Sequence, residues 1–134
     1  HLVYQLSDAG AGKPSWLIGE DEVWKFNPVS NAEEILKRLV EYYERGLAKP
    51  LPFFPNSAFR YVIEPKQKAK KSAKERALEM WEGEEDSDYN RGEKRDPYFD
   101  LCFRNHADPL GEDFQAIARD IVNPLLAHEV KEVA

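Results

Sequence analysis

The stretch KPLPFFP, residues 49 to 55, carries Pro50, Pro52 and Pro55 within six positions and constrains the fold more than any other part of the chain. Proline lacks an amide donor and pushes the residue before it out of the helical region, so a helix cannot continue through this point. The segment is expected to run extended, laying Leu51, Phe53 and Phe54 on a hydrophobic surface. It separates a long helix before it from shorter ones after it.

Upstream, SWLIGEDEVWKF at 15 to 26 has two apolar runs, Trp16 to Ile18 and Val23 to Phe26, around the polar GEDE. That pattern predicts an antiparallel hairpin. Two strands alone are marginally stable, so helices or further strands must cover them. Ser30 and Glu33 stand in capping-box spacing, and Ile35, Leu36, Leu39, Val40, Tyr43 and Leu47 recur at helical intervals, with Gly46 expected to end the helix. The opening HLVYQLSDAG reads as the last turns of a helix stopped by Gly10 and Gly12, and with no initiator Met the chain is expected to be a piece of a longer one.

Downstream, Asn56 or Ser57 should cap a short helix through AFRYVIE, which Pro65 interrupts. A second helix is expected across 67 to 82, with Ala69, Ala73, Ala77, Met80 and Trp81 on one face, followed by a polar loop over 83 to 95. Asp96-Pro97 supplies an N-cap and a proline at the first helical position, for a helix carrying Tyr98, Leu101, Cys102 and Phe103. Asp108-Pro109 should repeat the device for a helix through Phe114, Ile117, Ala118, Ile121 and Val122, bent or restarted at Pro124, while the tail after His128 frays. The fold class is therefore α+β: a short antiparallel hairpin packed with four or five helices, with a helical C-terminal half.

At 134 residues with 42% hydrophobic content the chain suits one structural unit with a modest core. A net charge of -6 gives no overall case for nucleic-acid binding, so any basic surface must be local. One cysteine excludes an internal disulfide, and no apolar run approaches the roughly 18 residues a membrane span needs. A soluble, cytoplasmic protein without a membrane partner is expected.

Three constellations bear on chemistry. Glu93, Asp96, Asp100, His106 and Asp108 are ligand types suited to divalent cations, but they lack the spacing of a zinc finger, an HExxH helix or a calcium loop. Asp96 and Asp108 are better read as caps, and Asp100 as a partner for Arg104 at i,i+4. Cys102 with His106 at helical reach forms a possible dyad, yet the cysteine sits beside Leu101 and Phe103 on an expected apolar face, where it should pack. The basic run RYVIEPKQKAKKSAKER is the nucleic-acid candidate: Arg60, Lys66, Lys68, Lys70, Lys71, Lys74 and Arg76 would present charge outward from a helix whose alanines face the core. The charge sign flips near Trp81, where an acidic stretch follows, so the same lysines also read as a solvated face balancing those acids. No Gly-rich phosphate loop, Walker lysine or serine elbow is present.

Two long ordered runs carry a resemblance. GL-x-x-PLPFFP-x-SA at 46 to 58 and GE-x-x-DPY-x-x-L-x-FR-x-x-x-DPL-x-x-x-F at 92 to 114, with HLVY before them and ALEMWEG between them, resemble the extreme C-terminus of the RecC family, the gamma subunit of exodeoxyribonuclease V. The resemblance implies the end of a PD-(D/E)xK nuclease-like core that has lost its active site over residues 1 to 28, and a helical C-terminal extension over 29 to 134. It implies no catalytic residue and no cofactor or metal in this segment. The implied role is non-catalytic: scaffold and subunit interaction in double-strand break repair and homologous recombination, with RecB-type and RecD-type subunits as partners and DNA met within the complex. By the same analogy Phe53, Phe54 and Tyr98 would face a partner subunit and the basic helix would face DNA. A working nuclease site needs two acids and a lysine around Mg²⁺. There is no Pro-Asp step, and Glu64-Pro65-Lys66 and Glu129-Val130-Lys131 are the only E-x-K triplets. An autonomous DNA-binding module and, less favoured, a metal-dependent nuclease are the alternative readings.

Overall fold

The computed structural model describes residues 1–20, 22–63, 71–84 and 91–132. Among these are six α-helices and three strands, so the class is α+β as the residue pattern implies. The chain divides into two compact units, residues 1–48 with 124–134, and residues 49–123.

In the first unit, α1 (Leu2–Gln5) is followed by turns and then by strands β1 (Ser15–Ile18) and β2 (Val23–Phe26). They pair antiparallel with Ser15 opposite Phe26 and Ile18 opposite Val23, and Gly19 N–H donates to Glu22 C=O at 2.9 Å in the turn. The fraying expected after His128 does not occur over residues 129 to 132. Glu129–Glu132 forms β3, which pairs antiparallel along the free edge of β2, and Asn27 N–H donates to His128 C=O at 2.8 Å. Backbone pairing on an available edge overrides the poor strand propensity of a charged segment. The order is β1-β2-β3.

Gln5 is buried, and both ends of its amide are used: Nε2 donates to Lys13 C=O at 2.6 Å, while Oε1 accepts from Val29 N–H at 3.3 Å. Such pairing is what a buried amide requires. Gly10 and Gly12 do not end α1, which stops at Gln5; they lie in the turns beyond it.

Helix α2 spans Ala32–Ala48. Its first backbone bond runs from Ile35 N–H to Asn31 C=O, one residue later than a Ser30 cap would place it. Gly46 lies inside this helix rather than at its end; Pro50 and the residue before it enforce the stop. Of the whole helix only Ala32 is buried; Ile35, Leu36, Leu39 and Tyr42 are half-buried, and Val40, Tyr43 and Leu47 are exposed.

The second unit holds α3 (Pro55–Val62), α4 (Ala73–Glu82), a 3₁₀ turn (Glu93–Arg95) and α5 (Pro97–Phe103). α6 (Glu112–His128) contributes its residues up to Asn123 and runs unbroken through Pro124. Phe54 is the centre of this unit, fully buried, with ring centroids 4.2 Å from Trp81, 5.0 Å from Phe99, 5.1 Å from Phe103 and 5.8 Å from Phe114. Edge-to-face geometry at Phe99 and Phe103 is the arrangement the ring quadrupoles favour. Phe54, expected to face a partner, is therefore a core residue, because the proline-held segment directs it inward while Phe53 stays half-buried.

The caps divide into local and distant ones. Ser72 and Glu75 form a capping box at the start of α4: Ser72 N–H donates to the Glu75 carboxylate at 2.6 Å, and Glu75 N–H to Ser72 Oγ at 3.3 Å. The Asp96 carboxylate accepts from Tyr98 N–H at 2.9 Å and Phe99 N–H at 3.3 Å, with Pro97 at the first helical position, as the Asp-Pro step predicts. Asp108-Pro109 does not repeat this. It forms a turn closed by Gly111 N–H to Asp108 C=O at 3.3 Å, which buries Leu110, and α6 starts beyond it with Gln115 N–H donating to Gly111 C=O.

Gly83 ends α4 at φ 72°, and Gly92 precedes the 3₁₀ turn at φ 78°. Their backbones meet so closely that a Cβ on Gly83 would overlap Gly92 N, and one on Gly92 would overlap Glu82 C=O. Lys94 and Glu82 form an ion pair beside this crossing.

Candidate functional site

The expected basic face is only partly within the described residues: Lys66, Lys68 and Lys70 lie outside them. Of the rest, Lys71 is ion-paired with Glu79, and that carboxylate raises the lysine's pKa by hydrogen bonding and by charge. Lys74 Nζ sits 2.6 Å from the Asp108 carboxylate. Arg76 donates to Lys71 C=O at 3.1 Å and Ile63 C=O at 3.2 Å. Arg60 stands exposed on α3 with no side-chain partner among the described residues. Arg60, Lys71 and Arg76 line one cavity of about 680 Å³, but Glu75, Glu79, Glu82 and Glu84 line it too. The Glu75 carboxyl is held below the ordinary carboxylate range, chiefly by the Ser72 backbone amide and then by the Ser72 hydroxyl. It therefore stays ionised beside the cations. A helix that interleaves acids with bases in this way offers phosphates a mixed field rather than a positive one.

Of the acids with ligand chemistry, Glu93, Asp96 and Asp108 are engaged by other groups, whereas among the described residues the Asp100 carboxylate is not. No group of three or more histidine, cysteine or carboxylate side chains able to hold a metal exists among the described residues. Glu93 instead reaches the start of α3, where Phe54 occupies the N-cap position and offers no side-chain acceptor. One carboxylate oxygen accepts from Asn56 N–H at 2.8 Å, and the other accepts from Ser57 N–H at 2.8 Å and Ser57 Oγ–H at 2.7 Å. A carboxylate at a helix N-terminus satisfies orphan donors and complements the helix dipole. Asp100 and Arg104 are joined by the backbone bond from Arg104 N–H to Asp100 C=O at 3.0 Å; the i,i+4 ion pair expected between them is not formed.

Cys102 is exposed, not packed. α5 buries Phe103 and half-buries Phe99, which turns Tyr98, Leu101 and Cys102 outward together. His106 leans on the Phe103 ring at 5.6 Å, and no hydrogen bond joins it to Cys102 among the described residues. Tyr98, proposed from the resemblance as a partner contact, is 78% exposed.

Sequence reasoning did not foresee the role of Glu93. The available signal was negative: a helix opening Phe-Pro-Asn-Ser has no capping side chain in the N-cap position, so its cap must come from elsewhere in the chain.

The described residues form a mixed α+β arrangement with a short antiparallel sheet, a packed aromatic cluster around Phe54, and exposed apolar side chains on β1 and α2. Residues 1–64, just under half of the chain, match the family model of the RecC C-terminal domain, which supports a RecC C-terminal region. The match contains the run at 46 to 58 and ends before the run at 92 to 114, which Glu93 joins to it through Asn56 and Ser57. No curated protein matches the chain. Among the described residues no helix is long and apolar enough to cross a membrane.

Proposed function

We propose that the chain is a non-catalytic scaffold and subunit-interaction region of a RecBCD-type helicase–nuclease, serving double-strand break repair and homologous recombination through that complex in the cytoplasm. Its partners in this reading are RecB-type and RecD-type subunits, with DNA met only in the assembly. The family match over residues 1–64 supports the assignment. The observation that carries the interaction role is β1, where Trp16, Leu17 and Ile18 are 52%, 56% and 77% exposed although successive side chains point to opposite faces. Neither face of this edge strand is covered, and α2 adds exposed Val40, Tyr43 and Leu47. Exposed apolar side chains on an unpaired edge strand mark a site to be covered by other protein. In this reading residues 1 to 28 are the end of a nuclease-like core without catalytic residues. The mixed charge around Lys71, Lys74 and Arg76 counts against the autonomous DNA-binding alternative.

The test is retention of a tagged RecD-type subunit by a complete RecC-type subunit carrying this region. Wild type is expected to retain it, and a Leu17→Asp, Ile18→Asp variant to lose most of it. Equal retention by both would remove β1 from the interface, and no retention by wild type would overturn the scaffold reading.

A further inference from the structure

A groove of about 890 Å³ lies entirely within the second unit, between α4, the 3₁₀ turn, α5 and the turn at 106–110. Its apolar floor includes the buried side chains of Trp81, Phe103 and Leu110. Four lysines and arginines and three carboxylates line it, but the two groups are not equivalent. Lys74 is satisfied by Asp108 and Lys94 by Glu82. Arg95 and Arg104 are exposed, and among the described residues neither guanidinium has a partner. They stand at the two ends of α5, with Asp100 on the groove side between them.

We propose that this groove binds an extended acidic peptide segment of a partner protein, with two carboxylates gripped by Arg95 and Arg104. Arg104 follows Arg95 by nine positions of mostly helical chain, a span of roughly 13 Å at 1.5 Å rise per residue. An extended peptide covers that distance in about four residues at roughly 3.3 Å each. Two carboxylates four positions apart therefore match the two guanidiniums. The forked guanidinium is suited to bidentate carboxylate recognition. Leu78, 43% exposed, and the exposed Pro97 supply the apolar surface for the side chains between the two acids. Two features favour a peptide over nucleic acid. Trp81 and Phe103 are each only 6% exposed, so their faces are not available for base stacking. Asp100, between the arginines, repels a continuous phosphate backbone but sits opposite the uncharged middle of the peptide. This groove is separate from β1, and the inference does not depend on which complex the chain serves.

The probe is the acetylated peptide Glu-Ala-Leu-Ala-Glu, titrated into the whole isotopically labelled chain and followed by backbone amide chemical shifts. Saturable shifts confined to the amides of α4, the 3₁₀ turn, α5 and residues 104–110 are expected, weakening as salt is raised. Arg95→Gln with Arg104→Gln should weaken binding about tenfold, each charged pair at an exposed rim contributing modestly. Asp100→Asn should strengthen it about twofold to threefold by removing the central repulsion, a gain that misfolding cannot produce. The inference is overturned if Gln-Ala-Leu-Ala-Gln binds equally well, if the arginine variant binds unchanged, or if no shift appears at millimolar peptide. A thymidine decanucleotide that saturates the same amides at lower concentration than the peptide would also overturn it and make the groove a phosphate site.

Discussion

Replacing Glu93 by alanine removes every acceptor at the start of α3 except solvent. Three hydrogen bonds are lost, from Asn56 N–H, Ser57 N–H and Ser57 Oγ–H, all between 2.7 and 2.8 Å in length. Asn56 is exposed, so water replaces its partner at little cost. Ser57 is fully buried, and its amide and hydroxyl have no such recourse. A lost helix cap costs about 1 kcal/mol, and each buried polar group left unsatisfied costs about 1–3 kcal/mol. Some relaxation toward solvent reduces the total, which gives about 2–4 kcal/mol for Glu93→Ala. Glu93→Gln keeps one good acceptor and loses the charge, so about 1–2 kcal/mol is expected. Urea unfolding followed by tryptophan fluorescence measures both, since Trp81 lies against Phe54 in the same core. Hydrogen exchange at Asn56 and Ser57 supplies the local readout. A loss below about 0.5 kcal/mol with unchanged exchange at these two amides would refute the assignment of Glu93 as the α3 cap.

Gly83→Ala or Gly92→Ala should each cost more than about 2 kcal/mol, because positive φ and a backbone overlap act together, whereas Gly12→Ala, at φ 71° with nothing within 4 Å, should cost only about 1 kcal/mol; thermal unfolding of the three variants compares them. Phe54→Ala should cost about 3–5 kcal/mol by opening a cavity between four aromatic rings, and calorimetry that found less than about 1 kcal/mol would show Phe54 to be peripheral. The Glu75 carboxyl titrates lower in the folded chain than when unfolded, so its contribution to α4 is complete above the ordinary carboxylate pKa and is lost as pH falls through the depressed folded value. Amide exchange in α4 should accelerate across that acidic window in wild type and not in Glu75→Gln, and identical profiles would refute the linkage.

Features written in local chemistry were legible before the structure was known. The hairpin followed from two apolar runs around a polar turn, α2 and α6 from their periodicity, and the Asp96-Pro97 start from a cap and a ring that prefer those positions. Features decided by distant partners were not. β3 is a charged tetrapeptide that becomes a strand only because β2 offers an unpaired edge. Phe53 and Phe54 are indistinguishable by composition, and within a proline-rich segment no period states which one turns inward. Cys102 looked apolar by its neighbours, but α5 is too short to bury more than the side of Phe99 and Phe103. The basic run was visible as charge, while its neutralisation was not, since Lys74 meets an acid that is 34 positions away. The capping box of Ser72 and Glu75 has readable S-x-x-E spacing, but an expected helix running on from 67 hides it, and residues 67 to 70 lie outside the described ones.

The two ordered runs, at 46 to 58 and 92 to 114, belong to one mechanical unit, and this has a testable consequence for the groove. Glu93 sits two residues before Arg95 and three before the Asp96 cap of α5, so the bond that closes α3 also fixes where the groove's first arginine begins. Gly83 and Gly92 hold the same 3₁₀ turn against the end of α4, and Lys94 pairs with Glu82 there. Loss of Glu93 should therefore lower stability and peptide affinity together, even though its carboxylate is committed to α3 and cannot touch the ligand. Arg95→Gln should lower affinity alone, leaving Asn56 and Ser57 exchange unchanged. Measuring both quantities in both variants separates positioning from contact. If Glu93→Ala frees the Ser57 amide yet binds the peptide with wild-type affinity, the 3₁₀ turn is held by the glycine crossing alone and the coupling between the two runs is structural without reaching the groove.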